Sequence, residues 1–314
     1  MSKKPPKKKP DKSLKTDQIR TLNKNTERHF KVDWLRNSRE NAKHIKDMKS
    51  FHLEVLRWES KKKYYNIYKE KVCFICASGP SLTYMIPHIK EHREKLYLVC
   101  VDTAFSILCE NDLSPDLVIT LDCGQAVTRA FPEKWRDRTK DTTLLLSTIA
   151  PVELRDVWKG RMLWFNCIND EVETLVRCAN RFPKIAGLLS RLNVADFSIF
   201  SLLRGFGFSN GEIAVSGMDL SFPNREQYYS KGTDHIHLFD EKNHQFIAQM
   251  DNVGRGCYSE YEFMSYRDSF TDGWRDGYNR FIIYWLSVGI IPLNFDYHAF
   301  LHRMNQGSFL PVGK

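Results

Sequence analysis

No apolar run in this chain is long enough to cross a bilayer. The longest, Phe281–Leu293, holds about 13 residues, against the ~20 that a membrane helix needs. No secretory leader is visible either, because the basic start runs into Lys, Pro and Asp with no apolar stretch behind it. There is no Gly-Lys-Ser or Gly-Lys-Thr, which excludes a Walker loop, and no Gly-x-Gly-x-x-Gly, which excludes the dinucleotide fingerprint. No internal repeat is evident, so a solenoid is excluded. The body also lacks a basic excess. Residues 1–50 hold 16 Lys and Arg against 6 Asp and Glu, whereas the other 264 residues hold 31 against 32. A nucleic-acid-binding domain would carry its basic stripe on the fold itself.

What is present begins with a tail rich in Lys and Pro. Residues 1–16 have little to bury and read as a disordered, solvated segment. Neither Pro nor Gly interrupts 17–68. Phe30, Val32, Leu35, Ile45, Met48, Phe51, Val55 and Leu56 recur at helical spacing there, so 17–69 reads as a lead-in of two helices. Residues 70–314 form the main domain. The eight cysteines (73, 76, 100, 109, 123, 167, 178 and 257) sit largely in apolar runs. They read as free thiols in a reducing compartment, hence a cytoplasmic protein.

From residue 71, short β-rich runs alternate with helical stretches. The strand expectations are Val72–Ala77, Leu96–Asp102, Leu117–Asp122, Thr143–Ile149, Met162–Asn166, Glu212–Gly217 and Ile290–Phe295. Helices are expected at 82–94, 103–112, 151–158, 193–206 and 260–288. Continuous apolar strands separated by helices predict an α/β, Rossmann-like fold. Its sheet is mainly parallel, with helices on both faces, and a helical N-terminal segment precedes it.

In such a sheet, ligands bind beyond the carboxyl ends of the strands. Ser78-Gly79-Pro80-Ser81 follows the first strand. Gly79 permits a close backbone approach and Pro80 stiffens the turn. Ser81 is placed to cap the next helix, whose free amides would hold a phosphate. Asp102-Thr103 follows the second strand, Asp122 the third, and Asp219 the Glu212 strand. Carboxylates there suit a ribose hydroxyl, a Mg²⁺ between phosphates, or a general base.

These pieces carry a resemblance. Ala77-Ser78-Gly79-Pro80-Ser81-Leu82, Val101-Asp102-Thr103-Ala104, Leu113 through Asp122, Asn193-Val194-Ala195 and Ile213 through Phe222 follow one another as they do in a known group. That group is the motility-associated-factor (Maf) family, with the 6-hydroxymethylpterin diphosphokinase MptE-like proteins. The approach helix with Asn37 and Asn41 is similar as well. The resemblance implies a fold related to bacterial sialyltransferases and a nucleotide-dependent transferase. The donor would be a CMP-activated nonulosonic sugar, or ATP with Mg²⁺ and a pterin-like acceptor. No tightly bound cofactor is implied, and Mg²⁺, with Asp122 as a ligand, belongs only to the ATP reading. A small-molecule donor is the expected partner, with neither nucleic acid nor a membrane span. Ser78, Gly79, Pro80, Ser81, Asp102, Thr103 and Asp122 would bind the nucleotide. His235, His237 or Asp219 would serve as the catalytic base. The segment Arg255-Gly256-Cys257-Tyr258-Ser259 lacks the family's histidine, and 260–314 lacks its glycine-rich closing motif. A non-catalytic nucleotide-binding module is therefore the alternative.

Other signals read as structural. Cys73 and Cys76 point to opposite faces of one strand and cannot chelate one metal. His88 and His92 lie four apart on a helix without a third ligand. His235 and His237 alternate on one strand face, but a zinc site there would need further ligands. The aromatic stretch Tyr258–Trp285 has Phe263, Tyr266, Phe270, Trp274, Tyr278 and Phe281 at helical spacing, most of them core, with a few available to flank a base or a sugar.

Overall fold

The computed structural model describes residues 12–45, 71–189, 195–196, 198, 212–224, 229–230, 246–276 and 282–306. Helix α1 (Lys12–His44) leads into β1 (Val72–Cys76), α2 (Leu82–Glu91), β2 (Leu96–Val101), α3 (Asp102–Glu110) and β3 (Leu117–Thr120). Then follow β4 (Thr143–Ser147), α4 (Leu154–Val157), β5 (Arg161–Ile168), α5 (Glu173–Ala179), β6 (Gly187–Leu189) and β7 (Glu212–Ser216). A hairpin of β8 (Ile247–Met250) and β9 (Gly256–Ser259) precedes α6 (Tyr261–Asp276), β10 (Ile282–Trp285) and α7 (Tyr297–Asn305).

Eight strands form one parallel sheet in the order β10-β7-β1-β2-β3-β4-β5-β6. Every residue of β1 is buried, as its unbroken Val-Cys-Phe-Ile-Cys run requires of a strand covered on both faces. The chain steps outward from β1 to β6, then returns to the other side of β1 as β7. That reversal opens a crevice at the carboxyl ends of β1 and β7. β8 and β9 pair antiparallel, apart from this sheet. All eight cysteines are buried and unpaired with one another. None of the described helices is long and apolar enough to cross a membrane.

Three differences from the sequence reading have physical causes. The helix expected through 260–288 ends at Asp276, and Ile282–Trp285 is a strand. The run Ile-Ile-Tyr-Trp satisfies either period, and register against β7 decides it. Consequently the strand expected at Ile290–Phe295 is a loop. Pro292 has no N–H to give a ladder, and the amide of Ile290 is spent on the carbonyl of Asp219 at 3.0 Å. At the other end, α1 begins at Lys12, inside the segment read as tail and shortly after that segment's last proline, Pro10; the second helix expected in the lead-in and most of the helix expected at 193–206 lie outside the described residues.

α1 lies across the carboxyl ends of β3, β4 and β5. The Asn37 amide donates to the carbonyls of Cys123 (2.9 Å) and Ile149 (3.0 Å). One turn on, Asn41 donates to Thr148 and Ala150, both at 3.0 Å. The Asn23 amide reaches Glu171 at 2.9 Å, and Glu27 accepts from the Thr174 amide at 3.1 Å. Strand-end carbonyls that would otherwise need water are satisfied by a helix.

Replacing Asn37 or Asn41 with Ala strands two buried carbonyls and should cost about 2–3 kcal/mol each. Urea unfolding measures this, and losses below about 0.5 kcal/mol would show that α1 does not clasp the sheet.

Candidate functional site

A cleft of about 320 Å³ opens beyond β1, β2 and β7, over the reversal of the sheet. Ser78, Gly79, Asp102, Thr103 and Asp122 line it. Thr103 Oγ1 donates to Ser78 Oγ at 2.9 Å. One hydroxyl proton bridges this pair and the other is available to a ligand oxygen. Asp102 is 3% exposed. Its oxygens accept from the Thr103 amide (2.7 Å) and the Thr120 hydroxyl (2.6 Å). Burial raises the Asp102 carboxyl above its ordinary range, and those two bonds oppose the shift. Asp102 therefore ties the ends of β2 and β3 together, while Asp122 is the exposed carboxylate at the mouth.

Pro80 and Ser81 lie behind the cleft instead of in its lining, and so does Asp219. The expected cap does not form: Ser81 is helical (φ −65, ψ −22) and makes no side-chain bond to the helix start. Its hydroxyl donates to Asp219 Oδ1 and accepts from the Gly217 amide at 3.0 Å. The Ser81 amide donates to Asp219 Oδ2 at 2.7 Å, and the Val288 amide adds a further bond to the same carboxylate.

The turn does not present its amides to a phosphate either. Gly79 N–H goes to the Gly217 carbonyl at 2.8 Å, and the amides of Leu82, Thr83 and Tyr84 go to the carbonyls of Gly79, Pro80 and Ser81. With Ser81 engaged and Pro80 lacking a donor, the run from 79 to 84 is spent internally. The chain stays close here because two glycines allow it. A Cβ at Gly79 would lie 2.4 Å from the Gly217 carbonyl oxygen. Gly217 has φ +78, and a Cβ there would meet the Ala77 carbonyl oxygen at 2.1 Å. Leu220, which lines the cleft, also takes a left-handed φ of 50. Such strain persists only where the surroundings over-determine it.

The sequence reading did not single out Tyr229 as a lining residue, nor did it separate Phe263 and Tyr266 from the core aromatics. Tyr229 is pushed up to about 12 by burial and by the charges of Asp102, Glu260, Asp122 and Glu262. Ser230 beside it grips the glycine turn, its amide on the Ser78 carbonyl at 2.9 Å and its hydroxyl on that of Gly79 at 2.5 Å. His235 and His237 lie outside the described residues. Among the described residues, no group of three or more His, Cys, Asp or Glu gathers as metal ligands. Among the described lining residues, Asp122 is the exposed carboxylate that would hold a Mg²⁺ arriving with substrate phosphates.

A parallel sheet reversing at its first strand, with a polar cleft over the reversal, defines a Rossmann-like α/β domain. The model of the 6-hydroxymethylpterin diphosphokinase MptE-like family matches residues 37–225, and the chain belongs to that family. The match opens at Asn37, the first of the two clasp asparagines. A solved Maf glycosyltransferase from Magnetospirillum magneticum AMB-1 shares the fold, with a TM-score of 0.54 at 19% identity. The alignment covers 79% of this chain and 38% of that one, so the chain spans well under half of that protein. Among curated proteins no match was found.

Burial lifts the Asp219 carboxyl to about 7, against the opposing bonds from Ser81 and Val288. Between pH ~4 and ~7 the folded state holds a proton that the unfolded chain has released, so this group's contribution to stability falls as pH rises through that window. In Asp219→Asn the titrating group is gone. The stability difference from wild type, measured by urea unfolding, should change across that window and level off above it. A difference constant from pH 4 to 7 would show that Asp219 titrates as an ordinary carboxylate.

Proposed function

We propose that the chain is a nucleotide-dependent transferase acting in the β1–β2–β7 cleft, with a CMP-activated nonulosonic sugar as donor. The observation that carries this reading is the kind of anion holder the cleft offers. The amides from 79 to 84 are spent, the Ser78–Thr103 hydroxyl pair faces the ligand, and no Lys or Arg is among the described lining residues. Hydroxyls suit the single charge of a phosphodiester far better than the charge of a triphosphate.

In this reading the pair donates to the phosphate oxygen on which charge grows as the sugar leaves. Asp122 is placed for a ribose hydroxyl or a base amino group. Asp219 sets the turn from behind, and the acceptor's proton goes to His235 or His237, as the family resemblance implies. The free, buried cysteines suit a reducing compartment such as the cytoplasm. A second reading, Mg²⁺-ATP and a pterin-like acceptor, draws on Asp122, the exposed carboxylate of the lining, as a ligand to Mg²⁺. The Maf protein of similar fold favours the sugar donor, and the family's description favours the diphosphokinase.

Thermal unfolding with CMP, CDP, GDP and ATP, each with and without Mg²⁺, separates them. At about a hundredfold excess over Kd, the right ligand stabilises by about 2.7 kcal/mol. CMP acting without metal is the expected result. ATP acting only with Mg²⁺ would replace the sugar reading by the kinase reading, and no response to any nucleotide would overturn both.

A further inference from the structure

Gly79 is the flexible joint of the turn after β1, so the placement of Ser78 depends on what holds the peptide planes on either side of that joint. The plane between Ser78 and Gly79 is held at both ends. The Gly79 amide donates to the Gly217 carbonyl at 2.8 Å, and the Ser78 carbonyl accepts from the Ser230 amide at 2.9 Å. The next plane runs into Pro80, which has no N–H, so its one hydrogen-bonding group is the Gly79 carbonyl. That oxygen accepts from the Leu82 amide at 3.1 Å and from the Ser230 hydroxyl at 2.5 Å. The Leu82 bond closes the turn on itself, whereas the Ser230 bond ties it to a segment 151 positions away. Ser230 is fully buried and is not a lining residue, while Tyr229 before it lines the cleft. One residue therefore grips both planes of the joint.

The side chain carried by this joint is the Ser78 hydroxyl, which accepts from Thr103 Oγ1 at 2.9 Å and keeps its own proton for a ligand. Ser81 and Asp219 fix the far side of the turn, and the near side, where Ser78 sits, is left to Ser230. We infer that Ser230 is a positioning residue for the ligand's phosphate: by gripping two successive carbonyls, it holds the Ser78 hydroxyl against Thr103 and toward the cleft. The inference rests on the nucleotide reading above and adds which residue keeps the phosphate donor aimed. Ser230 does not touch the ligand in this account and acts through Ser78.

Calorimetry on the full chain with CMP and with cytidine, which has no phosphate, tests the inference. Ser230→Ala should weaken CMP binding by about tenfold, the scale of one hydrogen bond to a charged group, and leave cytidine binding unchanged. Ser230→Cys keeps the bulk and a weaker donor; it should fall between wild type and Ala, and it decides the matter if the Ala chain does not fold. In a chain that already carries Ser78→Ala, adding Ser230→Ala should cost no further CMP affinity, because the effect runs through the Ser78 hydroxyl. Ser230 variants that keep full CMP affinity would overturn the positioning role while leaving the nucleotide reading intact. So would variants that lose CMP and cytidine in equal proportion, or losses that add to that of Ser78→Ala, since a residue that only held the fold would behave that way. If the wild-type chain binds ATP with Mg²⁺ and not CMP, the same comparison with ATP and adenosine decides. A wild-type chain that binds neither CMP nor ATP would overturn the nucleotide reading itself, and the role of Ser230 with it.

Discussion

Three segments meet at the carboxylate of Asp219: the turn after β1, the turn after β7, and the loop after β10. Its oxygens accept from Ser81 twice and from Val288, and its own carbonyl receives the amide of Ile290. None of these segments can satisfy its buried donors alone. Their joint closure draws Gly79 and Gly217 together to distances that exclude a side chain. The back wall of the cleft is thus built from backbone held by one buried acid, 2% exposed. An acid in that position is better suited to shaping the turn than to taking a proton from an acceptor.

The same logic divides the carboxyl edge of the sheet. Over β3, β4 and β5, α1 occupies the space and its asparagines consume the strand-end carbonyls. Over β1, β2 and β7, no described helix takes that place, and the cleft lies there. A doubly wound sheet offers one such opening where the strand order reverses, and here the helical approach leaves it as the accessible part. In the proposed function, a helix outside the sheet thereby belongs to the functional architecture: it would confine a ligand to the switch point.

Much of the sheet is legible from the sequence. β1 to β5 and β7 are apolar runs bounded by turn residues, and buried parallel strands have that signature. The strand-end residues Ser78, Asp102, Thr103 and Asp122 follow from the rule that ligands sit beyond carboxyl ends, and all of them line the cleft. The errors come where two periods coincide or where a polar residue has two possible partners. Ile282–Trp285 fits a helix as well as a strand, and only pairing with β7 separates them. Ser81 has the composition of a cap, yet a buried carboxylate 138 positions away outcompetes the local amides. Phe263, Tyr266 and Phe270 have one spacing and two fates, because the cleft begins partway along their helix.

The central claim is that ligand phosphate rests on the Ser78–Thr103 hydroxyl pair at the reversal of the sheet, and not on the amides of the glycine turn. A crystal structure of the chain grown with CMP tests it most directly. The account predicts density for the phosphate within hydrogen-bond distance of Ser78 Oγ or Thr103 Oγ1, with the Ser81–Asp219 bonds unchanged. A phosphate seated on the amides of residues 79–82, with those bonds broken, or CMP bound anywhere outside this cleft, would contradict it.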